Sequence, residues 1–209
     1  MKFLGKHWYD LGGVLALLVL VYLWMNKYFM SSYQNLMWIS LISLFIHQLE
    51  EYRIVGTFPG MLNSTLFNSD IPDRYPLNTR TSFYVNVFTG WLFYFLAALF
   101  AEKAVWLGIA TLLVSAGNII AHTLVFNIKG KTLYNAGLAS SWILFAPCLY
   151  FSIKILIQHS LGSVFDFILG IVLGLALNYI GILKLIDWMK DRNSPYIFEQ
   201  RNLLPRDRN

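Results

Sequence analysis

The stretch FIHQLEEYR, residues 45–53, places one histidine and two adjacent glutamates near the end of a long apolar run. In a helix, residues i, i+3 and i+4 share one face, so His47, Glu50 and Glu51 are predicted to project together. An imidazole and two carboxylates at this spacing can bind a metal ion or carry protons. Ionisable side chains in an apolar segment are costly unless they face other helices, which favours a functional site here.

A second polar stripe lies in the run VWLGIATLLVSAGNIIAHTLVF, residues 105–126. Thr111, Ser115, Asn118 and His122 follow one another at spacings of four, three and four, so they are predicted to share one face of a helix. His47 and His122 both lie within one or two turns of the same end of the predicted bundle. We therefore expect the two histidines to face one another across a cavity that opens to the cytoplasmic side.

Four side chains are candidate metal ligands: His47, Glu50, Glu51 and His122. A mononuclear zinc site uses about three protein ligands plus an open water position, and two histidines with one glutamate are a known set. The same set also suits non-haem iron, which is the alternative metal. The candidate catalytic residues are His47, Glu50, Glu51 and Asn118. A glutamate that does not bind the metal could accept a proton from metal-bound water, and Asn118 could orient a ligand or polarise a substrate carbonyl.

The two glutamates are predicted to differ in role although they are neighbours in sequence. Successive helical residues diverge by roughly 100°, so Glu50 and Glu51 lie on opposite flanks of the histidine. We expect one to bind a metal or pair with a cation such as Arg53, and the other to transfer protons. A dinuclear carboxylate centre uses about four glutamates. A dinuclear centre is excluded because the chain has only four glutamates, and two of them, Glu102 and Glu199, lie outside the cluster.

The composition indicates how these residues are positioned. Of the 209 residues, 57% are hydrophobic and only 13% are charged, whereas an average soluble domain has about 25% charged residues. We predict an all-α fold, an integral membrane bundle of about six transmembrane helices, because runs of about 17 to 25 apolar residues can cross a bilayer. The predicted spans are 10–28, 35–51, 83–101, 105–128, 135–157 and 164–188.

The distribution of basic residues predicts the orientation of the bundle. Lys27, Lys103 and Lys154 fall on one side of the predicted spans, and the other lysines and arginines fall on the opposite side. The positive-inside rule then places both termini in the cytoplasm, and we expect the plasma membrane. The net charge of +5 mostly reflects the basic residues that orient the helices in the membrane. The expected partners are therefore membrane lipids and an apolar small-molecule substrate, not nucleic acid. The oligomeric state is left open.

The domain organisation is predicted to be simple. Residues 1–190 form a single transmembrane domain, and residues 191–209 form a polar cytoplasmic tail. Segment 52–82 is a cytoplasmic interfacial loop with too many apolar residues for a free linker. Two interpretations of it stay open: an amphipathic lid lying in the membrane interface, or a packed loop that closes the end of the bundle. Gly170 and Gly174 are predicted to allow close packing of helices.

HQLEE, residues 47–51, resembles the motif that names the HXXEE-domain family of small polytopic membrane proteins. NIIAH, residues 118–122, is similar to that family's N-x-x-x-H element, and YNAGL, residues 134–138, is similar to a tyrosine and glycine segment, with alanine in place of proline. The resemblance implies an enzyme whose reaction is not established. The family pattern also includes a further histidine towards the carboxyl end. Here no histidine follows His159, which we place at the opposite membrane surface.

Three functions fit these observations. The leading hypothesis is a membrane-embedded, metal-dependent hydrolase or lipid-modifying enzyme, with a non-haem iron oxidase as the alternative, acting on a lipid or other apolar small molecule near the cytoplasmic side. The second is an acid–base isomerase without metal, using His47 with Glu50 or Glu51 as proton carriers. The third is a proton-coupled transporter or ligand-binding membrane protein. The sequence shows no internal repeat of the kind found in inverted-repeat transporters, which weighs against the third.

Overall fold

The computed structural model describes residues 2–208, and all regular structure in this range is helical. The prediction of an all-α fold is therefore confirmed. Several α-helical segments continue into wider π-helical turns, and we number each continuous helix once. The helices are α1 (Lys2–Asn26), α2 (32–54), α3 (58–66), α4 (79–100), α5 (105–130), α6 (Leu138–Gln158) and α7 (Val164–Met189).

Four helical segments of the described chain are long and apolar enough to cross a membrane: Phe3–Asn26, Thr79–Gly130, Leu138–Gln158 and Val164–Met189. At about 1.5 Å per residue, a straight helix of the length of Thr79–Gly130 would be more than twice as long as the hydrocarbon core is thick. The segment instead reverses at the 3-10 turn Ala101–Ala104, where Ala101 has a φ of 32°. The Tyr94 hydroxyl of α4 then donates to the Thr111 carbonyl of α5 at 3.0 Å.

Helices α2 and α5 lie at the centre of the bundle. Helix α2 packs against α1, α4 and α6, and α5 packs against α4, α6 and α7. The polar stripes of both central helices are buried, with Ser40 and Ser43 on α2 and Thr111 and Ser115 on α5. The prediction that both stripes face other helices is therefore confirmed.

Glycines allow α7 to approach α5 closely. A Cβ atom at Gly170 would lie 2.7 Å from the Cβ of Ile109, and one at Gly174 would lie 2.8 Å from the Cβ of Leu113. Real Cβ atoms do not approach so closely, so a larger residue at either position would push the helices apart. The predicted packing role of these two glycines is confirmed.

The segment between α2 and α4 is packed against the end of the bundle. Asn63 is fully buried, and its side-chain amide bonds to both the carbonyl and the N–H of Leu77, at 2.8 and 3.0 Å. Met61 and Leu62 are buried beside it. The structure thus corresponds to the packed-loop interpretation. The segment is also shorter than the predicted 52–82, because α2 continues to Ile54 and α4 begins at Thr79.

The tail after α7 packs onto this same segment. Phe198, Asn202 and Leu203 are buried. The Asn202 amide donates to the carbonyls of Tyr52 and Gly56, at 3.1 and 2.9 Å, and so satisfies backbone acceptors at the end of α2. The polar, proline-containing sequence of the tail gave no sign of this docking, because the contacts join residues about 150 positions apart.

Candidate metal centre

The carboxyl end of α2 carries three of the candidate residues. The α-helix Ser32–Leu49 continues into the π-helical turn Glu50–Ile54, in which the Val55 N–H donates to the Glu50 carbonyl at 3.2 Å. Such turns are frequent at functional sites. His47, Glu50 and Glu51 are only 1%, 7% and 4% exposed. These ionisable side chains therefore lie inside the protein and do not form a hydrated helix end.

Helix α5 brings the second histidine to the same place. His122 lies in the π-helical turn Ala121–Val125 and is buried. Its ring centroid is 5.0 Å from that of His47, and the two ring planes are nearly perpendicular. The prediction that the two histidines face one another is confirmed.

Glu51 lies between the two imidazoles. Its Oε1 is 3.5 Å from His47 Nε2 and 3.3 Å from His122 Nε2, and one potential ligand atom of each residue lies within 4.8 Å of the others. A tetrahedral zinc ion with bonds of about 2.0 to 2.1 Å places its ligand atoms roughly 3.3 to 3.4 Å apart. The three side chains are therefore spaced as a two-histidine, one-carboxylate metal site requires.

Asn135 determines which nitrogen of His122 carries the hydrogen. Its amide nitrogen donates to the His122 carbonyl at 2.8 Å, and this contact orients the amide. The amide oxygen lies 2.6 Å from His122 Nδ1, so Nδ1 carries a hydrogen and donates. In the neutral imidazole, Nε2 then keeps a lone pair, and Nε2 is the nitrogen beside Glu51.

Ser140 has the same effect on His47. Its Oγ lies 2.9 Å from His47 Nδ1 and donates to Glu50 Oε2 at 2.5 Å. Because a hydroxyl has one hydrogen, Ser140 accepts from His47 Nδ1–H. His47 Nε2 therefore also keeps its lone pair, and this buried atom has no hydrogen-bond partner among the described residues.

Glu50 contacts Ser140, which lies between Glu50 and His47. Its carboxylate accepts from the Tyr134 hydroxyl at 2.7 Å, from the Ala139 N–H at 3.2 Å and from the Ser140 N–H at 2.8 Å. A carboxylate is favourable at this position because it caps the amino terminus of α6. Burial and the neighbouring Glu50 raise the pKa of the Tyr134 hydroxyl to about 12, so the phenol is a donor at neutral pH. Glu50, also predicted as a ligand, does not belong to the group of Glu51 and the two histidines.

The centre thus brings together three buried acceptors: two imidazole lone pairs and one carboxylate oxygen. Acceptors in a dry interior repel one another unless a cation or a proton lies between them. Histidines that bind metals nearly always donate their other ring N–H to a nearby oxygen, as His47 does to Ser140 and His122 does to Asn135. The donor set and its supporting hydrogen bonds therefore fit a divalent metal.

Aromatic rings surround the histidines. Phe145 lies 4.8 Å from the His47 ring, and Phe58 and Phe126 lie 5.7 and 5.2 Å from the His122 ring, between centroids. Such rings exclude water and lower the local dielectric, which strengthens interactions between charges. Phe58 belongs to α3, so the packed segment between α2 and α4 helps to close the site.

Asn118 lies beside the centre but outside the ligand group. A cavity of about 90 Å³ is lined by His47, Glu51 and Asn118. The Asn118 amide nitrogen donates to the Val114 carbonyl of its own helix at 3.0 Å. Asn118 is therefore positioned to contact a molecule in the cavity, and its catalytic role stays a prediction.

Other ionisable residues have partners elsewhere. Arg53 pairs with Asp10 at 3.0 Å, so of the two alternatives for a glutamate of the motif, metal binding or pairing with Arg53, the structure does not show the second. His7 contacts the other oxygen of Asp10 at 3.0 Å. His159 is exposed just after the last turn of α6 and takes no part in the centre.

Three residues that support the centre were not singled out from the sequence as functional: Tyr134, Asn135 and Ser140. Tyr134 and Asn135 lie in the YNAGL segment, which carries the resemblance but had no assigned chemistry. Ser140 is a small polar residue at the start of an apolar span, where such residues are common. The sequence feature that pointed to these residues is the group of polar side chains just before α6. Their role could not be predicted from it, because that role depends on contacts with α2 that sequence spacing does not show.

Gly137 is the position at which an added methyl group should disturb the centre most. Its φ is 105°, and a Cβ atom there would lie 2.4 Å from Cε1 and 2.8 Å from Nε2 of His122. We expect Gly137→Ala to displace the imidazole and to weaken metal binding roughly tenfold, since ligands must hold their positions within about half an ångström. Competition with a chromogenic chelator measures this affinity.

Gly162→Ala is the matched control for that substitution. Gly162 also has a positive φ, 85°, and lies in the turn before α7 beside Val105, away from the histidines. Both variants place an alanine at a positive φ, but only Gly137→Ala should lower the metal affinity. Equal metal affinities for the two variants would contradict the close packing of Gly137 on a ligand.

Comparison with protein families places these features in context. Residues 38–152 match the model of a family described as proteins of unknown function with an HXXEE motif. The match covers more than half of the chain and includes the three converging side chains and the residues that orient them. Searches of curated proteins and of solved structures found no match. The HQLEE motif, its place in the buried centre and the extent of the match together show that this chain belongs to the HXXEE family.

Proposed function

We propose that the chain is a membrane-embedded enzyme that binds one divalent metal through His47, Glu51 and His122 and acts on a lipid or other apolar small molecule. Zinc is the first candidate, and iron is the alternative. The observation that carries the proposal is the convergence of three buried acceptors, with both imidazoles oriented by hydrogen bonds on their far nitrogens. A bound metal would supply a Lewis acid and an activated water at the edge of the cavity.

The surrounding residues have separate tasks in this proposal. Glu50, through Ser140, keeps the hydrogen of His47 on Nδ1 and leaves Nε2 available for the metal. Asn135 does the same for His122. Glu50 therefore acts as a positioning residue and not as a base at the cavity. Asn118 is the residue proposed to orient a bound substrate.

We further propose that six helices cross the membrane, namely α1, α2 and α4 to α7. The hairpin at Ala101–Ala104 divides Thr79–Gly130 into two passes, and α2 is packed among the other spans. Lys6 near the start of the chain contacts Glu199 in the tail at 3.4 Å, so both terminal regions lie at one end of the bundle. The positive-inside rule assigns this basic end to the cytoplasm, and we assign the protein to the plasma membrane.

Metal analysis of the purified protein tests the proposed function. The full chain, purified in mild detergent without chelators, should contain about one equivalent of zinc or iron by mass spectrometry of the elements, as expected for one three-ligand site. His122→Ala should lose the metal, because it removes a ligand. His159→Ala is the matched control, since that histidine is exposed and outside the centre. A wild-type protein that stays metal-free after incubation with both metals would refute the metal-dependent function.

A further inference from the structure

The cavity beside Glu51 has a mostly apolar lining that carries a few polar side chains. Gln48 and Asn86 line it together with Asn118, and the Gln48 amide nitrogen donates to Asn86 Oδ1 at 3.0 Å. Trp91 donates to Gln48 Oε1 at 2.6 Å, which orients the Gln48 amide. An amide nitrogen has two hydrogens, so Gln48 can donate its second one to an oxygen in the cavity. A volume of about 90 Å³ has room for a few water molecules or for one small polar group of a larger molecule.

The exposed part of the cavity lining lies on α4 and α7, beside the point where the Thr89 hydroxyl of α4 donates to the Gly181 carbonyl of α7 at 3.1 Å. The lining residues of α2 are buried, whereas Leu183 on α7 is 46% exposed, and Gly90 on α4 is partly exposed. Tyr179 and Ile180 are exposed next to Leu183 on the outer surface of α7. This outer surface is apolar and belongs to a helix long and apolar enough to cross a membrane. If α7 crosses the membrane as proposed above, this surface faces lipid, whereas the sequence led us to expect an opening on the cytoplasmic side.

The charges around the cavity limit the head group that it can accept. Glu51 is the only carboxylate among the described lining residues, and these include no lysine or arginine. Phosphate groups in proteins are commonly bound by arginine or lysine. A divalent metal held by Glu51 and two neutral histidines would leave about one net positive charge, and the described lining adds no other cation for a doubly charged phosphate monoester. The donors and acceptors present are amides and hydroxyls, which suit a neutral carbonyl or hydroxyl group.

We propose that the substrate is a neutral amphiphile, an ester, amide or alcohol carrying a long hydrocarbon chain, which enters sideways from the bilayer between α4 and α7. Its oxygen-bearing group occupies the cavity beside Gln48 and Glu51, and its chain extends past Leu183 into the lipid. This inference rests on the proposed function, because it places the reacting group beside the metal centre.

Photocrosslinking tests the proposal on the full chain in lipid nanodiscs. The neutral probe is a monoacylglycerol with a diazirine in its acyl chain, and the anionic probe is a lysophosphatidic acid with the same chain. Peptide mapping should locate the label of the neutral probe on α4 and α7 around Leu183. We expect the neutral probe to label this region about tenfold more than the anionic one, since an unpaired charge is disfavoured there. Equal labelling by both probes, or label spread evenly over α1 and α6, would overturn the proposal.

Blocking the mouth, the proposed entrance beside Leu183, gives the second arm of the test. Leu183→Trp should fill the mouth and reduce labelling by the neutral probe about tenfold, because it fills the volume that the acyl chain must cross. Leu175→Trp is the matched control, since Leu175 is exposed on the same helix but does not line the cavity. If Leu183→Trp retains its metal but labels as strongly as Leu175→Trp, the lateral mouth is wrong and the metal centre stands. If labelling behaves as expected in a protein that binds no metal, the lateral mouth stands and the proposed function fails.

Discussion

Glu51→Gln should abolish metal binding, lowering the affinity by more than about 100-fold. Structural zinc sites contribute roughly 10 to 16 kcal/mol, so the loss of one of three protein ligands costs several kcal/mol, and each 1.4 kcal/mol is a factor of ten. The glutamine amide also places hydrogens where the metal would lie. Because both Nε2 atoms keep their lone pairs, that amide can donate to one of them. Chelator should accordingly lower the melting temperature of the metal-loaded wild type and leave that of Glu51→Gln, which has no metal to lose, unchanged.

This second expectation separates the metal-dependent enzyme from the metal-free alternatives. If a proton and not a metal lies between the histidines and Glu51, the centre is an ion pair inside the protein. Removing one partner of a buried ion pair is destabilising by about 3 to 5 kcal/mol. Glu51→Gln would then lower the melting temperature sharply without any change in metal content.

Metal analysis and thermal unfolding in detergent, each with and without chelator, distinguish these cases. Glu102→Gln is the matched control, because Glu102 is exposed in the 3-10 turn between α4 and α5. It should leave both measurements unchanged. A Glu51→Gln protein that binds metal as tightly as the Glu102→Gln protein would exclude Glu51 as a ligand.

The parts of the structure that follow from helical periodicity were predictable. The spacing of Thr111, Ser115 and His122 places them on one face of α5, and burial of polar groups in an apolar helix requires that face to meet another helix. The meeting of His47 and His122 follows from two such faces at matched depth. The helix ends were less predictable, because they depend on local caps. Asn78, for example, accepts from the N–H groups of Arg80 and Thr81 and starts α4 earlier than the apolar run suggests.

The partners of individual charges could not be predicted from spacing. Glu50 binds the start of α6, about 90 residues away in the chain, and Arg53 binds Asp10 on α1. Such pairs are decided by how helices pack in three dimensions, and several arrangements satisfy the same periodicity. The sequence therefore predicted that the two glutamates differ, since they lie on opposite flanks of His47. Which one faces the second histidine required the structure.

Glu50→Gln is expected to weaken metal binding by about 10- to 100-fold although Glu50 does not touch the metal, which is the usual effect of removing a residue that orients a ligand. Glutamine keeps one acceptor oxygen but presents an amide nitrogen to groups that all donate: the Tyr134 hydroxyl, the N–H groups of Ala139 and Ser140, and the Ser140 hydroxyl. Ser140 then loses its acceptor or turns away, and the hydrogen of His47 is no longer held on Nδ1. Tyr134→Phe should weaken binding much less, because it removes one donor to Glu50 without disturbing Ser140.

A double-mutant cycle with Ser140→Ala distinguishes this positioning role from a general loss of stability. Glu50 acts on His47 only through the Ser140 hydroxyl, which lies between them at 2.5 and 2.9 Å. In the Ser140→Ala protein, Glu50→Gln should therefore have little further effect on metal affinity, and the two substitutions should be strongly non-additive. Chelator competition on the four proteins measures the affinities, and thermal unfolding of the metal-free forms measures stability separately. Fully additive losses of affinity would show that Glu50 does not act through Ser140. A loss of stability with unchanged metal affinity would reduce Glu50 to a cap on the amino terminus of α6.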